Sequence, residues 1–288
     1  MTERLKWQAF GINVTEHCNL RCTGCSNSSP WLPEKFLNVE EFEKDVRALA
    51  TAYRAWEMRL LGGEPLMHPR IVEIMQIAND VDASDVVNLV TNGVLLHEAP
   101  DAIWPLVDRM YVSLYPGVKY RFDPEKPKAL AARHQVDLRL SPTPEFREAF
   151  LNTRNKDDAL VREIYVKCKT AHEWSCHALS DGRYFKCSPA AIMEGRMAVR
   201  GERVPATAAD GIKVRGNPNL RRDLEVYLSS LEPLLSCRYC LGSAGKTYGH
   251  SQLNGERLKG EIATEHPDPR TLIEPSLLAG PPLIGRNK

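Results

Sequence analysis

Three cysteines lie within eight residues near the beginning of the chain, at Cys18, Cys22 and Cys25. Thiolates this close together on one loop can hold a compact inorganic centre, and iron–sulfur clusters are bound by cysteine in this way. A cubane [4Fe–4S] cluster has four irons, so three cysteines leave one iron open to a substrate or to a second cofactor. A zinc site that lacks its fourth ligand is the alternative, because zinc also binds thiolates.

The other five cysteines lie in the second half of the chain. Cys168, Cys176 and Cys187 surround the sequence Asp181-Gly182-Arg183, which predicts a hairpin turn, and Cys237 and Cys240 follow as a CxxC pair. Close spacings without an apolar leader at the N-terminus indicate metal binding in a reducing compartment and not a disulfide framework. We therefore expect a cytoplasmic protein.

Two short apolar segments accompany the first cysteine loop. Residues 10–15 predict a strand that ends just before it, and a second strand runs into Gly62-Gly63-Glu64-Pro65. A CxxxCxxC loop after the first strand and a GGE-like turn after the second resemble the radical S-adenosylmethionine (radical SAM) superfamily. The resemblance implies S-adenosylmethionine as a cofactor, with its amine and carboxylate on the open iron. One position departs from the family pattern: the residue before the third cysteine is usually aromatic and is Gly24 here.

The resemblance also implies cofactor-binding residues. Gly62, Gly63 and Glu64 would bind the methionine amine, and Asn92 and Ser113, which follow later strands, are further candidates for cofactor binding. Asn92 precedes a glycine and has the alternative of being a simple turn residue. The implied partners are a small-molecule substrate and a reducing protein such as flavodoxin or ferredoxin.

The later cysteines resemble the auxiliary-cluster hairpin of the twitch and SPASM subfamilies of radical SAM enzymes. Thirteen residues separate Cys168 from Gly182, and four more precede Cys187, as in that hairpin, whereas Cys176 is only five residues from Gly182. The resemblance therefore implies a second [4Fe–4S] cluster, whose four ligands are Cys168, Cys187, Cys237 and Cys240. Zinc is the alternative for four thiolates. Cys176 is left over, either as a small buried apolar residue or as a catalytic thiol in the active site.

The elements that would position these residues alternate between strands and helices. Apolar patterns predict strands at residues 10–15, 58–61, 86–91, 110–114 and 136–140, with helices after Asn38 and Pro69 and near residues 102–107 and 128–134. Such alternation predicts βαβ units and a parallel sheet. Every unusual residue of the first half follows a strand, and functional residues gather at the C-terminal ends of parallel strands.

The expected fold is α/β: a partial (β/α)6 TIM-like barrel followed by a small C-terminal auxiliary-cluster domain. The expected division is residues 1–150 for the barrel, 151–262 for the auxiliary iron–sulfur domain and 263–288 for a proline-rich tail. The arginines between residues 196 and 222 indicate a solvated insertion.

Composition limits the classes of function. A formal charge of +1 gives no basic field for nucleic acid, and no apolar run is long enough to span a bilayer. We expect a radical SAM oxidoreductase that removes a hydrogen atom from a small hydroxylated metabolite, similar to a sugar or an aminocyclitol, and oxidises it through the auxiliary cluster. The alternatives are a redox-neutral epimerase with a cysteine hydrogen donor, a peptide maturase, and a zinc-binding module without enzymatic activity.

Overall fold

Six parallel strands form the centre of the fold. The structure is a computed structural model and describes residues 3–283. Its main sheet has eight strands in the order β5-β4-β3-β2-β1-β7-β8-β9, in which the β7–β8 and β8–β9 pairs are antiparallel and the other pairs are parallel. The strands are β1 Leu5–Thr15, β2 Tyr53–Gly62, β3 Ser84–Thr91, β4 Arg109–Leu114, β5 Asp137–Pro142, β6 Glu145–Arg147, β7 His177–Ser180, β8 Arg183–Phe185, β9 Gly211–Lys213 and β10 Thr247–Gly249.

Helices connect most of these strands, and the expected α/β class with a mostly parallel sheet is confirmed. Strands β6 and β10 pair with each other in a separate antiparallel ribbon. The α-helices are α1 Val39–Ala50, α2 Ile71–Asp80, α3 Glu125–His134, α4 Asp158–Val166, α5 Lys169–His172, α6 Ser188–Val199, α7 Ala206–Asp210, α8 Leu220–Ser229 and α9 Gly255–Ala263. Shorter 3-10 helices are Pro65–Met67, Asp101–Leu106, Leu235–Tyr239, Pro269–Leu272 and Pro275–Leu278.

Local sequence signals account for the first helix and its packing. The side chain of Asn38 accepts a hydrogen bond from the backbone N–H of Glu41, which satisfies one free donor of the first turn of α1. Helical spacing then places an apolar face against the sheet, where Val39, Phe42, Val46 and Leu49 are all buried. Burying this face fixes the connection between β1 and β2, and with it the ends of both strands.

The helix expected near residues 102–107 is present as a 3-10 helix, Asp101–Leu106, because Pro105 inside it cannot donate the backbone hydrogen bond of an α-helix. A prediction about a later region was wrong. The expected solvated insertion at residues 196–222 is folded and includes α7, β9 and the beginning of α8. Arg196 itself is only 4% exposed.

The second half of the chain continues the same sheet. Strand β7 pairs in parallel with β1, with Phe10 opposite His177 and Gly11 opposite Ala178. The expected hairpin joins β7 to β8 through Asp181 and Gly182, whose φ angles of 46° and 73° are those of a type I′ turn. The sheet therefore crosses the boundary expected at residue 150, and the division into domains remains a prediction.

The proline-rich segment beyond residue 263 packs against the fold as far as it is described. The backbone N–H of Glu274 donates to Ala244, the N–H of Lys246 donates to Leu272, and Ile273 is buried. Across residues 3–283, no helix combines the length and the apolar character that crossing a membrane requires.

Candidate functional site

A cavity of about 480 Å³ lies at the C-terminal ends of the parallel strands. It brings together residues from distant parts of the chain that were singled out in the sequence. Its walls include Cys18, Cys22, Cys25, Gly62, Gly63, Asn92, Ser113 and Cys176. We call it the mouth cavity. Of the cofactor-binding residues predicted for the first half, only Glu64 does not line it.

Asn92 connects the end of β3 to the cysteine loop. Its side-chain Nδ2 lies 3.4 Å from the Sγ atom of Cys18 and donates to Oδ1 of Asn19 at 2.7 Å. Hydrogen bonds of this kind orient thiolate ligands and tune the centre that they hold. Asn92 is therefore more than a turn residue, although its contact with a cofactor remains a prediction.

Glu64 is completely buried below the mouth cavity. Its carboxylate accepts hydrogen bonds from Thr91 Oγ1 at 2.6 Å, the backbone N–H of Asn92 at 2.7 Å and the backbone N–H of Leu66 at 3.0 Å. Burial raises the pKa of this carboxyl group, and the three donors oppose that effect. These contacts tie the turn after β2 to the end of β3, so Glu64 positions both sides of the cavity. Its predicted contact with the methionine amine is not addressed by this geometry.

The glycine before Glu64 is required by the close approach of two backbone segments. A Cβ atom on Gly63 would lie 1.8 Å from the carbonyl oxygen of His17 and 3.0 Å from the backbone nitrogen of Cys18. No side chain fits in this space. The GGE turn and the cysteine loop are therefore in direct backbone contact.

A segment from the far end of the chain closes over the cysteine loop. We call residues 245–263, which include β10 and α9, the C-terminal strap. The N–H of Thr23 donates to the carbonyl of Ser251, and Gln252 Nε2 donates to Cys22 Sγ at 3.3 Å. Nε2 of His250 also lies 3.2 Å from the Sγ of Cys22. No sequence signal indicated these contacts, because they join residues more than 200 positions apart.

The strap also accounts for the unusual glycine in the cysteine loop. Gly24 has a φ of +60°, and a Cβ atom on it would lie 1.4 Å from the phenolic oxygen of Tyr248. Its backbone N–H donates to Oε1 of Glu261 at 2.8 Å. Tyr248 therefore occupies the space into which a side chain at position 24 would project.

The second cysteine set lines a separate, smaller cavity. Cys168, Cys187, Cys237 and Cys240, the four ligands implied by the twitch resemblance, all lie on its walls, and Cys176 does not. Three of the four are less than 10% exposed, and Cys237 is partly buried. We call it the four-cysteine cavity. The structure thus separates Cys176 from the other late cysteines and places it in the mouth cavity.

The two cavities have a common wall. Thr170, Pro189 and Gly242 line both of them. They come from three separate segments: α5, the first turn of α6, and the loop after Cys240. The two cavities therefore adjoin each other at these three residues.

Without a bound cation, the thiols in both cavities stay protonated at neutral pH. Burial raises the pKa of Cys18 and Cys22 to about 12, and it raises the pKa of Cys25 as well. In the second set, burial raises the pKa of Cys240 to about 12, and neighbouring thiolates add to the upward shift at Cys187 and Cys237. Metal binding would replace these protons, since cysteine binds metals as the thiolate.

The donor sets fit iron–sulfur clusters in number and type, with three thiols in one cavity and four in the other. Within residues 3–283, no three His, Cys, Asp or Glu side chains are arranged to hold a single metal ion. In a cubane cluster each thiolate binds its own iron, so the ligands surround a volume. The assignment of each cysteine to a cluster remains a prediction.

The fold and the mouth cavity define an α/β protein with a parallel sheet and a three-cysteine loop at the C-terminal end of its first strand. Residues 12–117 match the family model described as "Radical SAM superfamily". These residues, a little over a third of the chain, are therefore similar to the radical SAM superfamily of enzymes.

Curated relatives resemble the first half of the chain. "GTP 3',8-cyclase" of Chlorobaculum tepidum is 41% identical over 92 residues, which are 32% of this chain and 28% of the relative. "GTP 3',8-cyclase" of Aquifex aeolicus is 34% identical over 127 residues, 42% of this chain and 38% of the relative. The chain thus spans about a third of the length of the curated relatives it matches.

Among solved structures, "BtrN in complex with AdoMet and 2-DOIA" is 14% identical with a TM-score of 0.47, and covers 83% of this chain and 94% of that one. "Native anSMEcpe with bound AdoMet and Cp18Cys peptide" is 18% identical with a TM-score of 0.36, and covers 47% of this chain and 42% of that one.

Proposed function

We propose that this protein is a radical SAM oxidoreductase that oxidises a small hydroxylated metabolite. The observation that carries the proposal is the common wall of Thr170, Pro189 and Gly242 between the mouth cavity and the four-cysteine cavity. An oxidation by hydrogen-atom removal must pass a second electron to an acceptor. The common wall supports the proposal because an acceptor held in the four-cysteine cavity would lie next to a substrate in the mouth cavity.

The residues of the mouth cavity would bind both cofactors of the first step. Cys18, Cys22 and Cys25 would hold the [4Fe–4S] cluster, which supplies the electron that cleaves S-adenosylmethionine into methionine and a 5′-deoxyadenosyl radical. The backbone of Gly62 and Gly63 lines the same cavity, where it would bind the methionine part. A protein reductant such as flavodoxin or ferredoxin would provide the electron.

The substrate class is inferred from the polar groups of the mouth cavity. Among the described residues that line it, Arg147 is the only cationic side chain and Glu145 is the only carboxylate. Arg147 donates through Nη1 to the carbonyl of Gly245, whereas hydroxyl and amide groups come from Ser26, Asn27, Ser113, Thr143 and Ser188. These groups suit a hydroxyl-rich molecule of low charge. A nucleoside triphosphate, as in the name of the curated relatives, would require several cations.

The oxidation balances in electrons and protons. A hydrogen atom leaves the carbinol carbon of the substrate for the 5′-deoxyadenosyl radical, and the C–H bond breaks. The remaining carbon radical loses one electron and its hydroxyl proton, and a carbonyl group forms. A [4Fe–4S] cluster held by Cys168, Cys187, Cys237 and Cys240 would accept that electron. Glu145, an exposed carboxylate on the cavity wall, can accept the proton.

A triple variant of the cysteine loop tests the proposal. Cys18→Ala, Cys22→Ala and Cys25→Ala together should keep roughly half of the iron after anaerobic reconstitution and lose all cleavage of S-adenosylmethionine. Iron, sulfide and zinc analysis and the yield of 5′-deoxyadenosine measure the two effects. Retained cleavage in the variant, or stoichiometric zinc in the wild type, would show that the proposal is wrong.

An epimerase is the second candidate, and the position of Cys176 favours it. Cys176 lines the mouth cavity together with the three loop cysteines, and it lies outside the four-cysteine cavity. Its S–H group could return a hydrogen atom to the substrate radical from the opposite face, which inverts the carbon. The resulting thiyl radical would then need one electron from the reductant and one proton from water.

The Cys176→Ser variant separates the two candidates. For the oxidoreductase, the variant should form a carbonyl product at close to the wild-type rate, and the wild type should incorporate no solvent deuterium. For the epimerase, the variant should cleave S-adenosylmethionine without forming product, and the wild type should incorporate one solvent deuterium at the reacting carbon. Mass spectrometry of products formed in D₂O distinguishes these outcomes.

A further inference from the structure

Lys186 is a lysine buried in the interior of the protein, with 1% of its surface exposed. Lysines are rarely buried this completely unless their charge is paired. Its Nζ atom donates to the hydroxyl of Tyr165 at 2.8 Å and to the carbonyl of Ser230 at 2.9 Å, and the carbonyl of Tyr227 lies at 3.4 Å. All three acceptors are neutral.

The positive charge of Lys186 has no carboxylate partner within residues 3–283. Its Nζ contacts the three neutral oxygens and lies over the ring of Tyr165, whose centroid is 5.3 Å away. Neutral acceptors satisfy the hydrogen bonds of an ammonium group but do not neutralise its charge. Removing an unneutralised charge from water is unfavourable, so a counter-charge is expected close by.

The four-cysteine cavity lies next to Lys186. Tyr165, which accepts the shortest hydrogen bond from Nζ, lines this cavity, and Cys187 directly follows Lys186 in the chain. The neighbours that could carry negative charge are therefore the cysteines of the cavity when they bind metal as thiolates.

We propose that Lys186 is the buried counter-ion of the metal–thiolate centre in the four-cysteine cavity and that it raises the reduction potential of that centre. The inference rests on the proposed function, in which Cys168, Cys187, Cys237 and Cys240 hold an electron-accepting cluster. Reduction adds one negative charge to the centre, and a fixed cation beside it stabilises the reduced form. Lys186 would thereby favour transfer of the substrate electron.

Another lysine of the same region provides a matched control. Lys169 directly follows Cys168, as Lys186 directly precedes Cys187. The side chain of Lys169 is 43% exposed, however, and its Nζ lies 3.7 Å from the carboxylate of Glu173. Water and a carboxylate already compensate its charge, so its removal should leave the potential of the centre unchanged.

The experiment is an anaerobic redox titration, followed by electron paramagnetic resonance, of the reconstituted wild type and its variants. Lys186→Met removes the charge at similar volume, and Lys186→Gln removes the charge but keeps an amide donor for Tyr165. Both should shift the second centre to a more negative potential. The first centre serves as an internal control and should not shift. Lys169→Met should match the wild type.

Three results would overturn the inference. The potential of the second centre could stay at the wild-type value in a Lys186 variant that folds. Lys186→Gln could keep the wild-type potential while Lys186→Met alone shifts it, which would assign the effect to the hydrogen bond and not to the charge. Lys169→Met could shift the potential as much as Lys186→Met. If Lys186→Met does not fold, Lys186→Gln alone decides between a shift and no shift.

Failure of the proposed function has a different signature. In that case the wild type itself would contain zinc, or no metal, at the second site, and no second centre would titrate. If the second centre is intact and its reduction potential is the same in the wild type and the Lys186 variants, only the counter-ion assignment is rejected.

Discussion

At the scale of single residues, Gly24 shows how a side chain far away in the sequence can restrict which residue fits at one position. The glycine adopts a φ of +60°, and the hydroxyl of Tyr248 lies where its side chain would begin. That hydroxyl is buried and has no hydrogen-bond partner among the described residues. The sequence revealed that position 24 departs from the family pattern, but the reason lies 224 residues further along the chain.

A double-mutant cycle tests this pairing. Gly24→Ala should lower the free energy of unfolding by about 2 kcal/mol, because left-handed backbone strain adds to a collision with Tyr248. In a Tyr248→Ala background, the same change should cost about 1 kcal/mol, since only the strain remains. Anaerobic urea unfolding measures both costs. Equal costs in the two backgrounds would mean that Tyr248 does not restrict position 24.

Single residues also differ in how well the sequence indicated their surroundings. Asn92 and Ser113 were placed at strand ends by local pattern, and both line the mouth cavity. The carboxylate of Glu64 was expected at the same surface, yet it is buried and faces Thr91 and two backbone donors. A motif gives the position of a carboxylate along the chain, whereas its direction depends on which donors the fold brings to it.

At the scale of elements, the C-terminal strap is the part of the site that the sequence did not indicate. Helix α9 contributes the carboxylate of Glu261 to the backbone of Gly24, and the carbonyl of Leu258 accepts a hydrogen bond from Trp31 Nε1 at 2.8 Å. None of the side chains of α9 is buried. The contacts with Gly24 and Trp31 run through a carboxylate and a backbone carbonyl, and such contacts leave no apolar pattern from which the partner of α9 could be predicted.

Breaking α9 should loosen the cysteine loop without affecting the second site. Lys259 is exposed within this helix, and Lys259→Pro should disrupt it at a cost of roughly 3 kcal/mol in helix stability. Lys259→Ala removes the same side chain and keeps the helix, so it is the control. In the reconstituted protein, a chelator should remove iron from the first centre faster in Lys259→Pro than in Lys259→Ala.

The second centre should release its iron at the same rate in both of these variants. Identical release from the first centre in the proline and alanine variants would mean that α9 does not protect the loop.

At the scale of the whole molecule, the sequence indicated the α/β class but not how far along the chain the main sheet continues. Alternating strand and helix patterns gave the parallel sheet of the first half, because each βαβ unit is encoded locally. The sequence did not indicate that β7 pairs with β1, because this pairing joins residues 10–11 to residues 177–178, which are far apart in the chain. Four-residue β7 and three-residue β8 and β9 are too short to produce a periodic signal. The Asp-Gly turn indicated β7 and β8, and nothing indicated β9.

The C-terminal strap also has a consequence for how the protein is made. His250 closes over Cys22 from 228 positions further along the chain. A ribosome adds about 5 to 20 residues per second, so roughly 10 to 50 seconds pass between the synthesis of the loop and the synthesis of its cover. During that interval the three thiols are on an uncovered nascent segment, accessible to an iron–sulfur carrier and equally to dioxygen. If these thiols hold a cluster, the order of synthesis would allow it to be loaded before the C-terminal strap docks.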